Sequence, residues 1–411
     1  MTVVAAPRGG PGPLARAVTV AIGSRVFVLL VGLATAALIG IHEPSWAWRF
    51  PAGAETFKGF LGSLLNPWAH WDGVWYIKIA RAGYADADGS TAFFPLFPLL
   101  LRYLGVLFGG NLVVTGVVVS LLCFAGSAWM LYRLVALDFD DRVAARSVVY
   151  LSLFPTSFFL QAVYTESLFL LLSLACFYWA RQERWRLSGL AALFAALTRS
   201  TGALLVIPMA VYYFQRRGWR LRRADANAAN LLMVVEGLLI WMAYLSLSFG
   251  KPLLFAKVQD QWHRTLTPPN FSIGRSVEAA AQGARQLLSR QYLDLYWPVS
   301  KPSGAYSVAT ANLIGLAFLI AVGLCLAYGL RRLPPAYSLY GLAAAAYPLL
   351  FPAKAVPLLS FPRFALAAFP VFVALALYTR DRPRTHAALV IVMIVALAAL
   401  TWRFALFEWV A

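Results

Sequence analysis

Long apolar stretches separated by short, arginine-rich loops limit this chain more than any other feature. Hydrophobic residues make up 61% of its 411 residues and charged residues only 13%, with a mean hydropathy of +0.70. A soluble fold of this length could not keep so much apolar surface from water, so the expectation is a multi-pass membrane protein. Backbone groups in lipid must be satisfied within each segment, which leaves helices or a closed barrel, and these runs are too long and continuous for barrel strands. The fold class read from the sequence is therefore all-α and polytopic, one integral-membrane domain over 1–411. About eleven spans are expected, at roughly 18–41, 111–136, 147–163, 166–181, 187–203, 203–214, 228–249, 308–330, 336–352, 363–379 and 386–407. Several are short, so breaks and tilts are expected. No internal repeat of the kind found in many transporters is visible.

Lysine and arginine outnumber aspartate and glutamate by 35 to 17, a net charge of +18. In a soluble protein this excess would point to nucleic acid; here it lies mostly in short loops, the mark of membrane orientation and anionic-lipid contact. Residues 1–17 form a basic, Pro/Gly-rich tail without a convincing cleavage site, so a retained first helix with a cytoplasmic N-terminus is expected, on the strength of Arg8, Arg16 and Arg25. Residues 93–110 decide the remaining topology. As a span they would carry the arginine-rich loops at 138–146, 181–186, 215–223, 331–335 and 379–386 to the outside. As an in-plane or re-entrant segment, suited to Pro95 and Pro98, they keep all five inside. The second arrangement is adopted. It makes 42–110 the first extracytoplasmic loop, with amphipathic pieces around Trp46 and Phe57, makes 250–307 a second large outer loop, and places the C-terminus outside.

Within the first loop, Asn66 to Tyr84 (NPWAHWDGVWYIKIARAGY) differs from its apolar surroundings. Asp72 lies among Trp68, His70, Trp71, Trp75, Tyr76 and Tyr84. The same topology gathers other polar interruptions on the outer face: Tyr164 and Glu166 in FPTSFFLQAVYTES, Arg199 in LTRSTG, the loop from Lys251 to about Ser307, and Lys354 and Arg363 in FPAKAVPLLSFPRF. Charge at membrane depth is costly, so such residues usually face a water- or substrate-filled cavity. Ten acids fall outside: Glu43, Glu55, Asp72, Asp86, Asp88, Glu166, Asp260, Glu278, Asp294 and Glu408. Asp72 is set in aromatics and Glu166 opens an apolar helix; the others lie in more polar loops or at the terminus. From the residues alone, Asp72 is equally a reactive carboxylate or the N-cap of the following helix. Glu166 is equally a polar contact or an acid favoured at a helix start. Arg199 would either pair with Glu166 or hold an anion. Arg363 would bind phosphate bidentately or reach to the interface.

Several features carry no chemistry in this reading. Cys123, Cys176 and Cys325 lie in apolar runs as core residues. DFDD at 138–141 falls in a cytoplasmic loop and reads as solvated charge. Trp241, Trp402 and Trp409 read as interface belt, while Trp71, Trp75 and Trp262 remain candidate platforms for a sugar ring or isoprenoid chain.

WDGVWYIKIARAGY followed by TAFFPLFPLL, then LFPTSFFLQAVYTESLF, ALTRSTG and SFPRFALAAFPVF, resembles in order the blocks of the PIG-V family of membrane mannosyltransferases, in the GT-C superfamily, over about 20–375. The resemblance implies a GT-C type bundle and an inverting transfer of mannose from polyprenyl-phosphate mannose to an acceptor on the non-cytoplasmic face, with Asp72 at the position of the catalytic base. Eukaryotic members add the second mannose of GPI anchors. The Arg/Ala/Gly-rich composition suggests a bacterial homologue, so the expected acceptor is a lipid-linked or cell-envelope glycan.

An inverting transfer needs one base for the acceptor hydroxyl and a cationic environment for the leaving phosphate, unlike the carboxylate pair of glycoside hydrolysis. The expected site is thus Asp72 as base, Arg363, Lys354 and Arg199 on the phosphate, and His70, Trp71, Tyr164, Glu166, Gln259 and His263 as substrate contacts. No metal motif appears and no cofactor is expected beyond the lipid-linked donor; the absence of a Gly-rich phosphate loop argues against a nucleotide site. The alternatives are a lipid or glycolipid flippase or transporter, which would spread polar groups along a path across the membrane, and a non-catalytic membrane assembly protein.

Overall fold

A computed structural model describes residues 12–39, 59–86, 88–262, 264–289, 302–408 and 410. The pieces around Trp46 and Phe57, together with His263 and Trp409, lie outside them. Among the described residues the regular structure is helical, apart from one isolated antiparallel bridge between Arg264 and Ala353. The helices are α1 (Pro13–Leu38), α2 (Gly59–Leu65), α3 (Asp72–Ala82), α4 (Leu96–Leu104), α5 (Leu112–Asp138), α6 (Asp141–Leu153), α7 (Glu166–Arg181), α8 (Trp185–Thr198) and α9 (Val206–Arg216). They continue with α10 (Met233–Phe249), α11 (Leu254–Lys257), α12 (Pro269–Ser289), α13 (Pro302–Gly329), α14 (Pro335–Ala346), α15 (Phe361–Phe364), α16 (Pro370–Thr379) and α17 (Pro383–Ala405).

Among the described residues, four helices are long and apolar enough to cross a bilayer: α1, α5, α13 and α17. α10 and the stretch Leu254–Asp260 after it, bent by 90°, count as a fifth if the pair is one broken span. The other expected spans are shorter helices. At a rise of about 1.5 Å per residue, the 16 residues of α7 reach about 24 Å, short of a hydrocarbon core of about 30 Å. The span expected over 147–163 stops at Leu153, because Pro155 disfavours helical geometry at Phe154, which adopts φ −53°, ψ 136°. Residues 93–110 form the 9-residue α4, entered at Pro95, and a 3₁₀ turn, Gly105–Phe108.

Around the centre, α5 packs on α6 and α7, α7 on α8, and α8 on α10; α1 lies against α6 and α17, and α16 joins α6 to α13. Arg25 is not at the start of the first span. It lies midway along α1, 6% exposed, and its guanidinium donates to the Ser152 carbonyl (2.9 Å) and to Ser157 Oγ (2.9 Å). It therefore ties α1 to the break after α6 and says little about orientation. The DFDD acids are not simply solvated: Asp138 accepts from Arg181 Nε at 2.8 Å, and Asp140 caps α6 by accepting from the Val143 amide at 2.9 Å. Trp241 is no belt residue either. It is 1% exposed and stacks on Tyr244.

The helix breaks determine where polar groups go. α3 and α7 begin, α8 ends and α15 lies on one side of the bundle, which brings together residues far apart in sequence.

Candidate active site

The local chain makes the entry to α3 abrupt. Asn66–Trp68 is a 3₁₀ turn, and Trp71 then adopts φ 55°, ψ −120°, a conformation costing a bulky residue about 1–3 kcal/mol. Two bonds from the segment before α7 hold this turn: the Val163 amide donates to the Trp68 carbonyl (2.8 Å), and Tyr164 Oη donates to the His70 carbonyl (3.0 Å). Beneath the turn, Trp68 is fully buried and lies so close to Gly32 of α1 that a Cβ there would meet its ring at 2.6 Å.

Asp72 is the first residue of α3, but Trp71 holds the N-cap position and no side chain caps the helix. The capping reading of Asp72 therefore fails; its carboxylate is directed elsewhere, while still lying in the favourable field of the helix start. Its Oδ2 accepts from Arg363 Nη1 at 2.6 Å. Arg363 Nε is 3.2 Å from Glu166 Oε1, and the same oxygen accepts from Arg199 Nη1 at 2.7 Å. Asp72, Arg363, Glu166 and Arg199 thus form a chain of alternating charge across α3, α15, the start of α7 and the end of α8. Glu166 is both the acid at the start of α7 and the ion-pair partner of Arg199. Burial pulls down on the Arg363 guanidinium, but the charges of Asp72 and Glu166 together outweigh it and raise it above its ordinary value. Ser360, with φ 64°, turns the chain into α15, and Thr156 Oγ1 donates to the Pro362 carbonyl at 2.8 Å, fixing that helix.

The chain borders a cavity of about 410 Å³. Trp71, Trp75, Asp72, Arg199, Arg363 and Gln259 line it. Asp72 is the more open carboxylate, its side chain 25% exposed against 3% for Glu166. Among the described residues no donor reaches Asp72 Oδ1, so one oxygen is held and the other is available to the cavity.

The remaining expected contacts are distributed differently. His70 is 1% exposed, between the rings of Phe404 and Phe407 at 4.3 and 4.2 Å, and burial lowers its pKa to about 3; it is a neutral packing group away from the cavity. Tyr164 acts through the His70 carbonyl. Lys354 is exposed and is not among the lining residues. One charged lining residue was not among the expected site residues. Arg264 follows the 3₁₀ turn Val258–Trp262, is anchored by its bridge to Ala353, and carries a buried Nε without a partner. Its sequence neighbourhood, QDQWHRTLT, gives no pattern to single it out; only folding brings residue 264 beside residues 72 and 363. Among the described residues no three His, Cys, Asp or Glu side chains gather as a metal-ligating group.

A sequence profile described as Mannosyltransferase (PIG-V) matches residues 17–249, more than half of the chain. This is shorter than the 20–375 expected, and SFPRFALAAFPVF lies beyond it. GPI mannosyltransferase 2 of Drosophila melanogaster is 27% identical over 215 residues, which are 48% of this chain and 47% of that protein, so the chain spans about half the length of this curated relative. Among solved structures, the Archaeoglobus fulgidus oligosaccharyltransferase is similar in its complex with Zn and sulfate (TM-score 0.43, 14% identity, 95% of this chain and 52% of the other). Its form tethered to an acceptor peptide gives a TM-score of 0.44 at 13% identity, over 95% of this chain and 55% of the other. By the profile match over residues 17–249, which contains both Asp72 and Glu166, the chain belongs to the mannosyltransferase (PIG-V) family.

Proposed function

We propose that this protein is an inverting membrane mannosyltransferase of GT-C type that moves mannose from a polyprenyl-phosphate donor to a lipid-linked or cell-envelope glycan acceptor at the extracytoplasmic face. The observation that carries this reading is a carboxylate, Asp72, held by one oxygen on Arg363 with the other facing a cavity walled by aromatics and cations. The acceptor hydroxyl oxygen attacks the anomeric carbon from the face opposite the phosphate. Its proton passes to Asp72 as the new glycosidic bond forms, and the bond from the anomeric carbon to the phosphate oxygen breaks with its electron pair going to polyprenyl phosphate. Arg363, Arg199 and Arg264 line the cavity and together give it the net positive field in which the leaving phosphate gains charge. Trp71 and Trp75 offer apolar faces to the sugar or the first isoprene units. A transporter would need polar groups along a path; here they converge on one cavity at one side of the bundle.

The test is transfer of labelled mannose by the purified, lipid-reconstituted protein from polyprenyl-phosphate mannose, with GDP-mannose as the comparison donor. Transfer from the lipid donor alone, with inversion at the anomeric carbon, is expected. Transfer from GDP-mannose alone would defeat the reading.

A further inference from the structure

The three arginines that line the cavity are not equivalent. Arg363 is engaged by Asp72 and Glu166, and Arg199 by Glu166. These four groups cancel in charge. Arg264 adds one positive charge to the same cavity, and among the described residues no carboxylate lies within ion-pair distance of it. Its Nε is buried and unpartnered. Arg264 is half-buried with its Nε out of reach of water, and a guanidinium so placed without a counter-charge carries a desolvation cost that an anion in the cavity would offset.

The backbone holds Arg264 firmly at this cost. Its amide donates to the Gln259 carbonyl (3.3 Å), residues 264 and 353 form the isolated bridge, and the Thr267 amide donates to the Leu350 carbonyl (2.8 Å). The loop after α11 is thereby strapped to the segment after α14, which leads on to α15 and Arg363. Burial, then the nearby positive charge of Arg363, lowers the Arg264 pKa to about 10, in keeping with a cation awaiting an anion.

We propose that Arg264 is the principal ligand of the donor's phosphodiester, and that its single unmatched charge selects a monophosphate-linked donor over a diphosphate-linked one. This rests on the reading of the protein as a lipid-phosphate-dependent transferase. The donor phosphodiester carries one negative charge, which the cavity's one surplus positive charge matches. On transfer the phosphate gains a second negative charge while Asp72 takes up a proton, so the site becomes more positive by the same amount. A diphosphate-linked lipid would bring excess negative charge beside Asp72 and Glu166. Arg363 and Arg199 stay with their carboxylates and position Asp72 instead of leaving it.

The test reads binding without turnover. Wild type, Arg264→Gln and Arg264→Lys, each reconstituted and shown to be monodisperse, are titrated with farnesyl methyl phosphate, a singly charged phosphodiester, and with farnesyl diphosphate. Wild type is expected to bind the diester more tightly than the diphosphate. Arg264→Gln is expected to lose about tenfold or more in diester affinity, with Arg264→Lys recovering part of it. In transfer assays the donor KM should rise in Arg264→Gln while kcat changes less. Diester affinity in Arg264→Gln within about twofold of wild type would overturn the assignment of Arg264. Tighter binding of the diphosphate by wild type would overturn the charge match. Because binding is measured directly, a wild type that transfers no mannose would defeat the proposed activity without deciding the role of Arg264.

Discussion

Asp72 Oδ2 and Arg363 Nη1 lie 2.6 Å apart although 291 positions separate them in the chain. The contact joins the start of α3 to α15, and Glu166 links it onward to Arg199 at the end of α8. The site is therefore an assembly of helix ends, and each end is set by a different break in the apolar pattern.

Glu166 is the shared partner of the buried Arg363 and the half-buried Arg199, so Glu166→Gln should be strongly destabilising. Removing one member of a buried ion pair costs about 3–5 kcal/mol, because the remaining charges lose their counter-charge. The measurement is thermal unfolding in lipid nanodiscs. A double-mutant cycle with Arg199→Met should show coupling: the double variant is expected to lose less than the two single losses combined.

His70 predicts a pH dependence of stability. Its folded pKa, about 3, is below its ordinary 6.5, so between these values the unfolded chain binds the proton and the folded chain does not. Stability is then fully present above about pH 6.5 and falls as the pH drops towards 3, by about 2 kcal/mol at pH 5. The loss on going from pH 7 to pH 5 should shrink in His70→Phe, read by thermal unfolding at each pH. An unchanged loss would place the titrating group elsewhere.

Gly32 connects a spanning helix to the site. A Cβ at this position would meet the Trp68 ring at 2.6 Å, with the fully buried Trp68 supporting the turn that presents Asp72. Gly32→Ala should lower mannosyl transfer about tenfold or more by displacing this turn, since a small misplacement of a reacting group is enough. Gly23→Ala on the same helix, where a Cβ meets nothing within 4 Å, is the control and should behave like wild type.

Lys354 and Arg363 separate sequence position from site position. Both fall in one arginine- and lysine-bearing block of the sequence, yet only Arg363 lines the cavity. Arg363→Ala should reduce kcat/KM by about a hundredfold or more and Lys354→Ala by much less, in the same transfer assay.

The helical membrane class was legible because apolar composition and lipid physics allow few alternatives, and Asp72, Glu166, Arg199 and Arg363 were legible as polar groups interrupting apolar runs. Their pairing was not, since it depends on which helix ends meet. His70 was expected as a substrate contact beside Asp72; burial against Phe404 and Phe407 makes it a packing group. Arg264 was missed because it lies in a loop with ordinary polar composition, and only the bridge to Ala353 brings it to the cavity. The number of crossings was less legible, because proline and glycine breaks divide apolar runs into helices of which, among the described residues, four or five are long and apolar enough to cross a bilayer.

The central claim is that Asp72 takes the acceptor proton. The most direct measurement is single-turnover mannose transfer by Asp72→Asn, with folding verified by thermal unfolding and donor binding measured in parallel. The account predicts retained donor binding with transfer reduced by about a thousandfold or more. Wild-type transfer by the folded variant would contradict it.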